Sequence, residues 1–132
     1  MEQSNPRELF NSLQYGFSQV TVARGSRIVS VSGQVAWNTA QTLEGGESLY
    51  AETCKALENL QTALASVQAT LADVISLRIY IVDYQPQDAD QISQALKMFF
   101  PPEQAPAATW VGVASLANPT FRIEIEAMAV MA

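Results

Sequence analysis

Two stretches of this chain carry a single apolar stripe at helical spacing, and a strand-like segment separates them. That alternation limits the fold more than any other feature. In residues 48 to 68, SLYAETCKALENLQTALASVQ, the residues Tyr50, Cys54, Leu57, Leu60, Leu64 and Val67 recur every three or four positions. They form one stripe about 100° wide, the pattern of a helix packed on a single neighbour. Glu47, Glu52, Lys55 and Glu58 are then expected on the solvent side, with Ser48 as N-cap. Cys54 lies on the stripe and reads as a core thiol. Residues 88 to 100 repeat the pattern with Ile92, Leu96 and Phe99, and PPEQAP ends that helix because proline cannot continue it. Between the two, LADVISLRIYIVD alternates as a strand, with Leu77, Ile79 and Ile81 on one face and Arg78 and Tyr80 on the other.

The flanking segments read as further strands. FSQVTVA (17–23) and RIVSVSGQVA (27–36) alternate around the turn at Gly25, which predicts a hairpin. WNTAQTLEGGES is polar with two adjacent glycines, a surface loop. Ala108 to Ser115 and Phe121 to Met131 are two closing strands around the turn residues ANP, so the penultimate strand is expected beside the last. Residues 1 to 14 are a lead-in with a helical turn after Pro6. The order β-β-α-β-α-β-β describes one domain over 1–132, an α/β (α+β) fold with one mixed sheet and both helices on the same face. The other face carries Val and Met side chains together with Arg122, Glu124 and Glu126. A mixed face of that kind is usually buried by another subunit, which predicts a closed homo-oligomer.

Composition narrows the function. The chain has 132 residues, a net charge of −6 and no histidine. Without a basic stripe, neither nucleic acid nor an anionic membrane is an expected partner. A histidine-based triad and a His/Cys zinc site are excluded by inventory. Cys54 is the only cysteine, so no intramolecular disulfide can form. That, with a polar N-terminus lacking an apolar signal core, suits the cytoplasm.

The segments VSVSGQVA, GG, LENLQTALASV, IYIVD, KMFF, PA and RIEIEAMAV occur in one order and spacing that resembles the RidA/YjgF family of reactive-intermediate deaminases, once called endoribonuclease L-PSP. The resemblance covers about residues 17 to 131. It implies a chorismate-mutase-like fold, a homotrimer whose sheets form a central barrel, and clefts between subunits that bind a small organic ligand. Active members hydrolyse an enamine or imine to a keto acid and ammonia without metal or cofactor. A protonated imine is already electrophilic, so such a site mainly supplies orientation and a carboxylate clamp.

Carried over by position, the water-positioning glutamate is Glu124 and the hydroxyl of the SGQ motif is Ser32. The clamp arginine falls on Ala108, so the clamp is absent. The small or sulfur-bearing position after it is Trp110. An asparagine position falls on Ser93, and an aromatic near the first strand falls on Phe17, which has no hydroxyl. The resemblance therefore implies a catalytic Glu124 with Ser32, Ala108, Trp110, Phe17 and Ser93 as cleft lining. Trp37, at the mouth of the glycine loop, either faces the ligand or packs. Trp110 either stacks on a planar ligand or packs across the interface. Arg122 shares a strand face with Glu124 and either pairs with it or acts as a relocated clamp. Arg78 and Tyr80 are read as structural. Two functions stay open: an enzyme for a different enamine or imine, and a non-catalytic trimer that binds a metabolite or a protein.

Overall fold

A computed structural model describes residues 1–132. Strands β1 (Glu2–Ser4) and β2 (Val20–Val22) form a small antiparallel ribbon. Strands β3 (Arg27–Gln34), β4 (Val74–Val82), β5 (Ala107–Val113) and β6 (Ile123–Met131) form the main sheet in the order β3-β6-β4-β5. Helices α1 (Leu49–Ala65) and α2 (Asp88–Phe99) connect them. β6 runs antiparallel to both β3 and β4, and β5 runs parallel to β4. The sheet is mixed, as expected for helical crossovers that return the chain in the same direction.

Both helices cover one face. Leu57, Leu60 and Leu64 of α1 and Ile92 and Leu96 of α2 are buried with Leu77, Ile79, Ile81, Ile123 and Ile125 in a single core. The strand residues in that list are alternate positions, the period that puts them on one side of a pleated strand. Ser48 caps α1 through its hydroxyl, which accepts from Ala51 N at 3.0 Å. The helix ends where Gln68 adopts a positive φ of 63°.

Three expectations need correction. First, the segments around Gly25 do not form a hairpin. β2 pairs with β1 from the lead-in, while β3 pairs with β6. Thr21 anchors the ribbon across the main sheet by donating to Ile75 O at 2.7 Å. Second, β5 and β6 are not neighbours, because β4 lies between them. Third, Glu52 does not face solvent. It is 1% exposed, and its Oε2 accepts from the backbone N–H groups of Arg122 (2.8 Å) and Ile123 (3.3 Å). The buried face of α1 is centred on Leu49, Thr53, Ala56, Leu57, Leu60 and Leu64. Tyr50 and Cys54 sit at its margin, half-buried and packed against the core.

Candidate functional site

The site residues divide into two groups, and the strand register explains why. Ala108 and Trp110 on β5 lie beside Leu77 and Ile79 on β4, which in turn lie beside Ala127 and Ile125 on β6. These positions share the helix-covered face. Glu124 lies opposite Tyr80, and Glu126 opposite Arg78, on the other face. One copy of the chain therefore does not bring Ala108 and Trp110 together with Glu124.

The first group forms an aromatic trough beside α2. Trp110 and Phe17 have ring centroids 5.8 Å apart, tilted by 53°. Together with Tyr15, Tyr84 and Ala89 they line a cavity of about 350 Å3. The backbone at Ser18 bridges to Ala107 in parallel, and this holds the Phe17 segment along the outer edge of β5. Ser18 itself is buried. Its hydroxyl donates to Ala105 O at 2.6 Å and accepts from Gln3 Nε2 at 2.8 Å. Gly16 sits at φ 95°, where a Cβ would come within 2.9 Å of Leu96 Cβ, so glycine lets the Tyr15–Phe17 segment lie close against α2. Ser93, one helical turn beyond Ala89, is buried, and neither its hydroxyl nor Trp110 Nε1 has a hydrogen-bond partner. Burial raises the pKa of the Tyr84 phenol, with nearby Asp88 adding to the effect, so it remains a neutral donor.

The second group lies at the β3–β6 pair. The register shifts between Val31, opposite Ala127, and Gln34, opposite Ile125. Ser32 and Gly33 together oppose Glu126 alone, which makes a β-bulge. The bulge has a specific use. A side chain at Gly33 would collide with the Glu124 carboxylate, so the glycine lets that carboxylate lie across the β3 backbone. Ser32 is exposed beside it. Next along the same face, the Tyr80 hydroxyl donates to Glu126 Oε1, and this bond raises the pKa of the phenol. Arg122 is exposed and makes no ion pair with Glu124; the single ion pair within 4.0 Å is Lys55–Glu44. The pairing considered for Arg122 is therefore not formed.

Trp37 belongs to neither group. Its ring packs edge-on against Phe121, with centroids 4.7 Å apart. Asn59 Nδ2 donates to Val35 O and Trp37 O, so α1 holds down the start of the glycine loop. Trp37 borders a separate polar recess of about 560 Å3 with Asn38, Asn59 and Lys55.

Tyr15, Tyr84 and Glu52 were not singled out from the sequence as site or core residues. For the tyrosines a signal existed: aromatic residues in turn-like segments, where solvated chain has no use for them. For Glu52 there was none beyond its place at the margin of the apolar stripe. No group of three or more His, Cys, Asp or Glu residues is arranged to hold a metal ion. No helix is long and apolar enough to cross a membrane.

Comparison with known proteins agrees with this geometry. The family model described as Endoribonuclease L-PSP matches residues 11–131. The crystal structure of a protein of unknown function of the conserved Rid family, YyfB from Yersinia pestis, is 36% identical, with 98% of each chain covered and a TM-score of 0.93. A member of the highly conserved YjgF/YER057c/UK114 family from Mycobacterium tuberculosis is 27% identical over 99% of this chain and 98% of its own, with a TM-score of 0.67. A YjgF-family protein from Neisseria meningitidis is 25% identical over 88% and 87%, also with a TM-score of 0.67. No curated protein matches the chain. The order of its motifs, its sheet with two helices on one face, and these matches together show that the chain belongs to the Rid/YjgF (endoribonuclease L-PSP) family.

Proposed function

We propose that the protein works as a homotrimer that binds a small organic molecule in clefts between subunits, and that it is not a 2-iminopropanoate deaminase. One observation carries this reading: the cleft residues lie on opposite faces of the sheet, Phe17, Ser93, Ala108 and Trp110 on one and Ser32 and Glu124 on the other. A site that uses both groups needs the trough of one subunit to meet the bulge of the next. The open face, with Arg78, Tyr80, Glu124 and Glu126, is then where subunits join.

Ala108 decides against imino acids. A bidentate guanidinium–carboxylate pair fixes both position and charge, and an alanine supplies neither. Losing such a contact costs about 2–5 kcal/mol of binding and orientation. What the cleft retains is the Glu124 carboxylate, which can orient a water molecule toward an electrophilic carbon. In imine hydrolysis that water adds to the C=N carbon and gives its proton to the carboxylate. Starting from the protonated imine, that proton then moves to the carbinolamine nitrogen; as the C–N bond breaks, the carbinol hydroxyl gives its own proton to the carboxylate, releasing ammonia and a carbonyl compound. The substrate of such a reaction here is an enamine or imine without a carboxylate at the reacting end.

The same absence of a clamp also favours a second reading, a non-catalytic trimer that binds a metabolite. Assay of a panel of enamines and imines, with light scattering on the same sample, separates the two. We expect a particle of about three times the 14.3 kDa chain mass and no acceleration with 2-aminoacrylate. A monomer would remove the composite cleft, and fast 2-aminoacrylate hydrolysis would remove the argument from Ala108. Turnover of a carboxylate-free imine, abolished by Glu124→Gln, selects the enzyme.

A further inference from the structure

The trough is unusually one-sided in its chemistry. Four aromatic rings, Tyr15, Phe17, Tyr84 and Trp110, wall it, and no lining residue is charged. Phe10 extends the wall outward, with its ring 6.3 Å from Phe17 and 6.4 Å from Tyr15, although it is 60% exposed. Within this apolar setting lies an excess of polar capacity. Four buried side-chain polar atoms of the protein lack a hydrogen-bond partner: Ser12 Oγ, Ser93 Oγ, Trp110 Nε1 and Glu52 Oε1. The first three belong to elements that build the trough: the Ser12–Tyr15 turn, α2 and β5. Of these, Trp110 is itself a wall of the cavity and Ser93 lies one helical turn from Ala89, which lines it; buried donors are nearly always paired in folded proteins, so an unpaired one on a cavity wall asks for a partner from outside the chain.

We infer that the trough takes the flat, uncharged ring of a conjugated ligand that carries a carbonyl-type hydrogen-bond acceptor. The inference rests on the cleft reading above and adds the ligand's class. Rings suit the site because aromatic walls gain from offset and edge contacts that saturated groups cannot make. A carboxylate is disfavoured because no cation lines the trough to offset its desolvation. Within the trough a protonated amine meets the same cost, offset only by the ring faces, because the carboxylate of the cleft, Glu124, belongs to the bulge and is not among the residues that line the trough. A neutral carbonyl instead gives Trp110 Nε1 or the Ser93 hydroxyl the acceptor each lacks.

The test uses four probes of one size on the full-length protein in its native assembly: benzamide, benzoate, benzylamine and cyclohexanecarboxamide. Affinities come from calorimetry, with saturation-transfer NMR for weak binding. Benzamide should bind tightest, with benzoate and benzylamine about ten-fold weaker or more and the saturated amide several-fold weaker. Trp110→Phe keeps the ring contacts and deletes the donor, so it should weaken benzamide binding several-fold without removing the preference for a ring. Benzoate, benzylamine or cyclohexanecarboxamide binding as tightly as benzamide overturns the inference, as does contact from none of the four. If the probes bind but are indifferent to both Trp110→Phe and Phe17→Leu, they sit elsewhere, and the cleft reading itself fails. If binding depends on those residues but the ranking differs, only the ligand class fails.

Discussion

The β5–α2 edge and the β3–β6 bulge are opposite solutions to presenting a site. The bulge is built from backbone. An extra residue in β3 and a missing Cβ at Gly33 make room for the Glu124 carboxylate, and the motif residues Ser32, Gly33 and Glu124 are all in place. The trough is built from side chains, and the residues that line it, Tyr15, Phe17, Tyr84, Ala89 and Trp110, carry no charge. A backbone device tolerates little change, because any Cβ at position 33 meets the carboxylate. A side-chain wall can be rebuilt one residue at a time while the strand beneath it stays the same. Altered function in such a protein is thus expected at the trough, with the bulge retained.

The two regions share one support. Ile79 lies between Trp110 on one side and Ile125 on the other, and is fully buried. Ile79→Ala should cost about 2–5 kcal/mol, measured by chemical denaturation, and should loosen both regions together. A loss confined to the trough, read from Trp110 fluorescence in a Trp37→Phe background, would show that they are mechanically independent.

Gly33→Ala should act on one region only. It should displace the flexible Glu124 side chain at a stability change of less than about 1 kcal/mol and abolish any Glu124-dependent turnover, while binding to the trough in one subunit persists. An unchanged rate would mean that Glu124 acts without lying across β3.

How much of this was legible in the sequence depends on the range of the interaction. α1, α2, β4 and the strand character of β3 and β6 follow from periodicity, which is local. That β6 inserts between β3 and β4 is a matter of long-range pairing, and no local pattern distinguishes it from a β5–β6 hairpin. The turn at Gly25 has hairpin composition, yet β2 pairs with Glu2–Ser4 because the lead-in supplies a strand whose Gln3 is tied to Ser18 and to the Pro102 and Ala105 carbonyls. The motif residues of the site could be listed, but their division between two faces required the register. Glu52 was misplaced because a charged residue at the margin of a stripe looks solvated. Its use, accepting two backbone N–H groups at the start of β6, is invisible until β6 is seen to pass there.

Glu52 ties α1 to the start of β6, and its effect depends on pH. Burial raises its pKa above 4.5, only partly opposed by the hydrogen bonds from Arg122 and Ile123. The folded protein therefore holds this proton more tightly than the unfolded chain. Its contribution is most favourable below the unfolded value and declines as pH rises through the folded one. Glu52→Gln removes the titration, so the variant should gain on the wild type as pH is raised from 4 toward 7. Unfolding curves across that range that stay parallel would contradict the assignment.

The smallest expected effect gives the finest comparison, because it sets two buried serines against each other. Ser18 is 1% exposed and Ser93 is 5% exposed. The Ser18 hydroxyl makes two hydrogen bonds, to Ala105 O and from Gln3 Nε2, so Ser18→Ala loses two bonds of about 0.5–1.5 kcal/mol each, about 1–3 kcal/mol together, while Gln3 Nε2 and Ala105 O keep their bond to each other. The Ser93 hydroxyl makes none within the chain. Deleting an unpaired buried hydroxyl removes a desolvation cost and leaves only a small void, so Ser93→Ala should change stability by less than about 0.5 kcal/mol in either direction. The same substitution should weaken benzamide binding, because the donor matters only when a ligand is present. Stability unchanged with binding reduced would separate a hydroxyl kept for a ligand from one kept for the fold. If Ser93→Ala instead costs as much as Ser18→Ala without ligand, the hydroxyl has a partner in the assembled protein. The trough would then be a piece of packing between subunits, with no spare donor at that position.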